Sequence, residues 1–150
     1  MAASHTRTVS FALVAAGVWL TAAHPTLACS CMEPAPDTAY QRASQVFVGK
    51  VTQIDKPFLD RLRLTRSGLW HVHFVVSKRW KGSPSDSVTV RTRVTGESCG
   101  YPFRTGETYL VYTVANAEPV TGICTGTKDL AHADADLRAL DALAGRSPRP

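Results

Sequence analysis

The chain has 150 residues, of which 44% are hydrophobic and 19% charged, with 10 Gly and 9 Pro. That length and balance describe one globular domain and exclude a wholly disordered, collagen-like or coiled-coil chain. Seventeen Lys and Arg against 12 Asp and Glu leave a net charge of +5, which favours anionic surfaces without naming a partner.

Residues 1–28 read as a secretory signal. Arg7 is the only unambiguous charge before Cys29, and an apolar run follows from Phe11 to Ala23. The run is shorter than the roughly 20 residues that span a bilayer. His24 and Pro25 lead into Thr26, Leu27 and Ala28, with small residues three and one before Cys29. This is the charged, apolar and small-residue order of a cleaved signal. The mature domain is then residues 29–150, with 144–150 as a frayed tail, in a secreted or periplasmic compartment. A rival reading makes Cys29 a lipid-anchored cysteine. That pattern wants Leu three residues before the Cys, whereas Leu27 stands two before it. No second apolar run has membrane length, so no transmembrane segment is expected.

The mature part reads as a small β-rich domain. Thr38 and Gln41 have capping-box spacing and open a short helix through Ala43. Residues 46–54 form a strand in which Gly49 marks a bulge or bend. Residues 55–68 carry Pro57, Arg61, Arg63 and Arg66 and read as a long loop or loose hairpin. From 70 to 80 the chain alternates, with Trp70, Val72, Phe74 and Val76 on one face and His71, His73 and Ser77 on the other. Gly82, Ser83 and Pro84 turn the chain into a strand over 87–94, with Val88, Val90 and Val94 inward. Thr95 and Gly96 turn again. Residues 108–114 are a strand rich in Tyr and Val, and 121–124 a short last one. Thr127 caps a helix with Asp129 in its first turn and Leu130, Ala133, Leu137 and Leu140 on its packed face. Five strands with a helix at either end predict a mainly β fold, a five-stranded barrel of the oligonucleotide/oligosaccharide-binding (OB) type. An immunoglobulin-like sandwich wants about seven strands and a Cys…Trp…Cys core spacing that this chain lacks.

The four cysteines stand at 29, 31, 99 and 124, all after the expected cut. In an exported protein they imply disulfides. Cys29 and Cys31 are too close for an easy mutual bridge. Two schemes remain: 29–99 with 31–124, or 29–124 with 31–99. Each bridge closes a loop of about 70 to 95 residues and stabilises by roughly 4 kcal/mol on chain-entropy grounds. A structural zinc site wants Cys pairs two to four apart, which Cys-x-Cys followed by single cysteines matches poorly. A bridged first residue holds its α-amine at a fixed point. The amine titrates near pH 8, so a fraction is neutral at neutral pH and can donate to a metal held by another protein.

Several blocks occur together and in order: Cys29-Ser30-Cys31 after a signal, Phe47-Val48-Gly49-Lys50, Trp80-Lys81-Gly82, Glu97-Ser98-Cys99-Gly100-Tyr101 and Thr121-Gly122-Ile123-Cys124. Over residues 29–126 the chain resembles the N-terminal, netrin-like domain of the tissue inhibitors of metalloproteinases. The resemblance implies an OB-type barrel and the pairing Cys29–Cys99 with Cys31–Cys124. It implies an inhibitory ridge of Cys29, Ser30, Cys31, Met32, Glu33 and Pro34, flanked by Glu97, Ser98, Cys99 and Gly100. The amine and carbonyl of Cys29 would chelate the target protease's catalytic zinc, at the position such a zinc keeps open for water. Ser30 would enter the pocket for the side chain after the scissile bond. The family's third disulfide in this domain and its C-terminal subdomain have no counterpart here. Its long protease-touching hairpin is replaced by the basic 55–68 loop.

Other features read as structural. Trp70 and Trp80 are expected in the core, and His71 and His73 on a solvated face without enough donors for a metal. Residues 50–104 hold 11 Lys and Arg against 4 Asp and Glu. This is a basic face on which Arg61, Arg63 and Arg66 are candidate contacts to a polyanionic glycan. Export and the lack of interleaved aromatics argue against nucleic acid. Asp134 and Asp136 are expected as surface charge on the last helix. No base–nucleophile pair suggests an enzyme, and no cofactor is implied. The favoured function is inhibition of zinc metalloendopeptidases. The alternative is a non-inhibitory netrin-like module that recognises polyanionic cell-surface or matrix components.

Overall fold

The computed structural model describes residues 31–62, 64, 68–93, 99–115 and 117–145. The fold is mainly β: a curled, half-barrel sheet of six strands with short helices. β1 (Gln45–Asp55), β2 (Leu69–Lys81) and β3 (Ser87–Arg93) form an antiparallel meander. β4 (Thr108–Thr113) pairs antiparallel with the other side of β1. β5 (Val120–Thr121) lies parallel to β3, and β6 (Lys128–Asp129) flanks β4, giving the order β5-β3-β2-β1-β4-β6. Beyond β4, Val114 and Val120 exchange backbone hydrogen bonds of 2.8 and 2.9 Å, so the end of β4 also meets β5.

β4 and the first half of β1 bury both faces, so Val46-Phe47-Val48 and Tyr109-Leu110-Val111-Tyr112 run apolar without a break, whereas β2 buries one face and alternates. Phe47 and Val51 of β1, Val72 and Phe74 of β2, Val90 of β3, and Tyr109 and Val111 of β4 fill the concave side with Phe103. Phe74 meets Phe47 and Phe103 edge-on at ring separations of 5.5 and 5.3 Å. On the other side Val46, Val48, Leu110 and Tyr112 pack under α1 (Pro36–Arg42) and α3 (Asp134–Ala144), through Ala39, Ala43, Ala133 and Leu140. Each large apolar side chain so enclosed stabilises by about 1.5–3 kcal/mol. The pairing of β1 with β2 slips between Val48 and Gly49, where the sequence predicts a bulge. A Cβ at Gly49 would come within 3.1–3.2 Å of Phe47, Phe74 and the Val75 carbonyl.

The structure differs from expectation at several elements. Among the described residues there are six strands, because the two-residue β6 exists through its pairing with Tyr109 and Leu110. Helix α1 opens at Pro36, whose fixed φ suits the first turn, so Thr38 lies inside the helix and caps nothing. The 55–68 connection contains a helical turn, α2 (Phe58–Arg61). The strand expected over 121–124 is only Val120–Thr121, and Cys124 falls in the turn after it. Thr127 caps no helix: a 3₁₀ turn spans Leu130–His132, and α3 begins at Asp134. Instead the Tyr112 amide donates to Thr127 Oγ1 at 3.0 Å, and the Thr121 and Thr127 hydroxyls meet at 2.7 Å. Helix α3 runs to Ala144, where the tail was expected to start, and 146–150 lie outside the described residues. Asp136 is buried, not surface charge. Trp80 packs against the helix-side core, whereas Trp70 joins neither core cluster. The Trp70 indole N–H donates to Asp60 at 3.1 Å and so braces α2. No helix among the described residues is long and apolar enough to cross a membrane.

Candidate functional site

The expected ridge draws on two stretches of chain, one before α1 and one before β4. Cys29, Ser30, Glu97 and Ser98 lie outside the described residues, as do Arg63, Arg66 and Val94. Cys31, Met32, Glu33, Pro34, Cys99 and Gly100 are described, and their anchors can be traced.

Cys31 is disulfide-bonded to Cys124 with their Cα atoms 5.3 Å apart. Cys124 sits in the turn after β5. That turn is pinned to β4 by a buried hydroxyl, Thr121 Oγ1, which donates to the Tyr112 carbonyl at 2.9 Å; within the turn Thr125 Oγ1 donates to the Gly122 carbonyl at 2.8 Å. The second stretch arrives at the same turn. The Ile123 amide donates to the Cys99 carbonyl at 3.1 Å. Any side chain at Gly122 would place its Cβ 2.4 Å from that carbonyl, so only glycine permits the approach. Cys99 takes a positive φ of 56°, a left-handed conformation costing roughly 1–2 kcal/mol for a residue with a Cβ. Cys99 is itself a disulfide-bonded cysteine, and its expected partner Cys29 lies outside the described residues. The structure therefore brings Cys31, Cys99 and Cys124 to one end of the sheet, around residues 122–124.

Between its anchors the 31–34 segment is unevenly held. Met32 is 94% exposed. The next residue, Glu33, is ion-paired with Lys128 Nζ on β6. Lys128 Nζ also meets Asp136 Oδ2 of α3 at 2.9 Å. Burial pulls the Lys128 pKa down, but hydrogen bonds and charge from Glu33 and Asp136 outweigh it, and the net shift is upward. The hydroxyl of Tyr112 is buried beside Asp136. Burial first, then the Asp136 charge, pushes its pKa up. Pro34 lines a small recess of about 70 Å³ with Ala39, Tyr112, Val114 and Cys124.

The Glu33–Lys128–Asp136 cluster is absent from the sequence-based site. One signal for it was available. Asp136 stands three residues after Ala133 and four before Leu140, on the apolar stripe of the helix. A carboxylate there requires a buried partner.

The other expected contacts lie elsewhere. Arg61 is exposed on α2 and borders an open recess with Gln53, Ile54, Asp55 and Lys56. His73 lies between Asp55 Oδ2 and Thr89 Oγ1, both at 2.9 Å. The Asp55 pKa is lowered by hydrogen bonds from Gln53 first and His73 second. Among the described residues no group of three His, Cys, Asp or Glu could hold a metal ion. No family model matches the chain, and no curated protein matches it.

Proposed function

We propose that this chain is a secreted protein inhibitor of zinc metalloendopeptidases, acting through the α-amine and carbonyl oxygen of Cys29. The observation that carries the reading is the meeting of Cys31 and Cys99 at the 122–124 turn. Those are the two stretches that the resemblance assigns to the ridge. Cys29 is two residues from the Cys31 anchor, so its Cα lies within about 7 Å of that of Cys31. A Cys29–Cys99 bridge, which we propose as the second disulfide, would hold it from the other side. The neutral fraction of the amine would then face outward as a nitrogen donor, with the carbonyl oxygen one chelate ring away. Together they suit the open position of a catalytic zinc with three protein ligands. Ser30 would follow into the neighbouring side-chain pocket, and Met32, already fully exposed, would add apolar contact.

The strand circuit β1-β2-β3-β5-β4, with β3 and β5 parallel and β4 returning to β1, supports an OB-type barrel as the scaffold. Such a frame suits a rigid ridge, because anchored elements lose less entropy on binding than free termini do.

Adding one alanine before Cys29 tests the mechanism. It converts the amine to an amide and leaves the anchors intact. Inhibition of a panel of secreted zinc endopeptidases is expected to weaken by at least about 100-fold, the loss of roughly 3 kcal/mol of metal-ligand interaction, with unchanged thermal unfolding. Equal inhibition by both forms overturns the chelation mechanism. No inhibition by the mature form across the panel overturns the function.

A further inference from the structure

The connection between β1 and β2 carries a second surface, independent of the ridge. Phe58, Leu59, Leu62 and Leu64 are 70, 49, 52 and 70% exposed. Helix α2 buries none of its residues. These side chains are held out by a braced turn. The amides of Arg61, Leu62 and Leu64 donate to the carbonyls of Pro57, Phe58 and Leu59 at 3.0–3.1 Å. Asp60, the one acid between residues 56 and 68, faces back to the Trp70 indole, and Lys56 lies over the Trp70 ring at 4.2 Å. The outward tip thus presents large apolar groups. Lys56 and Arg61 border an open recess of about 400 Å³ whose one carboxylate among the described residues, Asp55, is engaged by Gln53 and His73. Arg63 and Arg66 add two positive charges to the same stretch of sequence.

We propose that this tip docks on anionic phospholipid bilayers, with Phe58, Leu59, Leu62 and Leu64 entering the interface and Lys56 and Arg61 meeting lipid phosphates. Charge complementarity selects the partner. Basic residues attract an anionic leaflet over about a Debye length. Clustered Phe and Leu beside Lys and Arg are the composition of interfacial anchors. A sulfated glycan would use the cations but gain nothing from four exposed apolar side chains. A protein-docking patch is typically richer in Trp and Tyr, with Leu under-represented among its anchors.

The test is sedimentation of the mature protein with vesicles of phosphatidylcholine, with and without about one third phosphatidylglycerol. Binding is expected only to the anionic vesicles. It should weaken at least about 10-fold in Phe58→Ser/Leu62→Ser and in Lys56→Gln/Arg61→Gln. Phe58 and Leu62 are exposed, so thermal unfolding of the first pair should not move, and loss of the Lys56–Trp70 contact should lower that of the second only slightly. Absence of preferential binding to anionic vesicles overturns the proposal. So does wild-type binding by the Phe58→Ser/Leu62→Ser variant, which would mean charge attraction alone. Retention on heparin without vesicle binding would point to a glycan partner and also overturn it. Weaker protease inhibition in lipid-free assays, without vesicle binding, would assign the tip to a protein partner instead.

Discussion

Serine at both Cys31 and Cys124 is expected to lower stability by about 4 kcal/mol, a drop of roughly 15 °C in the thermal midpoint for a domain of this size. The bridge spans 93 residues, so removing it releases a long loop in the unfolded chain. On chain-entropy grounds alone that is worth about 4.5 kcal/mol. If Cys29 and Cys99 are also joined, the path from Cys31 to Cys124 shortens to 27 residues through that bridge. The cost then falls to about 3.5 kcal/mol. Denaturant unfolding of the two single-bridge variants and of the variant lacking both bridges separates these cases. With two native bridges, removing the second costs more than removing the first. The functional effect should exceed the stability effect, because residues 31–34 lose the anchor that holds them at the 122–124 turn. Inhibition should fall at temperatures where the variant is still folded. A variant that remains folded and inhibits normally would contradict the role given to the anchor.

Methionine at Lys128 is expected to destabilise by about 3 kcal/mol near neutral pH, measured by urea unfolding. Lys128 is the partner of Asp136, whose side chain is only 9% exposed. Removing the ammonium leaves a buried carboxylate without its cation, and such a charge carries most of the cost. Leucine at Asp136 in the same protein should recover most of the loss, since a buried ion pair is often no better than an apolar pair of similar volume.

The pH dependence follows from the direction of the shift. The Lys128 pKa is raised in the folded protein. Its contribution is therefore complete below the unfolded value near 10.4 and is lost as pH rises through the higher folded value. The gap between wild type and the Lys128→Met variant should close in alkali as the ammonium loses its proton. Both proteins should also lose stability above about pH 10. Burial raises the folded pKa values of Tyr101, Tyr109 and Tyr112, that of Tyr109 to about 12, so the unfolded chain ionises first. A gap that is constant from neutral pH into alkali would contradict the ion pair.

What the sequence disclosed follows the reach of its signals. Strand β2 was legible because Trp70, Val72 and Phe74 alternate with His71 and His73, a period read from the local sequence alone. Gly49 marked the bulge for a similarly local reason. Cys31 and Cys124 are 93 residues apart, and the residues alone left two pairing schemes. Elements that depend on distant partners were not legible. β6 is two residues long and exists because Leu110 pairs with Lys128. Thr127 looked like a helix cap because it precedes an apolar stripe, but a buried amide on Tyr112 takes its hydroxyl first. Within the site, the cysteines announced the two stretches that converge. The Glu33–Lys128–Asp136 cluster stayed hidden because its members come from three separate stretches of chain, the segment before α1, β6 and α3. The exposed tip at α2 was read as a basic loop, since the arginines dominate its charge and nothing local shows that Phe58 and Leu62 find no core.

The central claim is that the Cys29 amine and carbonyl become ligands of another protein's metal. The most direct measurement uses a cobalt(II)-substituted form of a zinc endopeptidase that the mature protein inhibits. The visible absorption of the cobalt reports its ligand set and geometry. Adding mature protein should change that spectrum, saturating at one inhibitor per enzyme, while the alanine-extended form leaves it unaltered. Full inhibition by the mature protein with an unchanged cobalt spectrum would contradict the account.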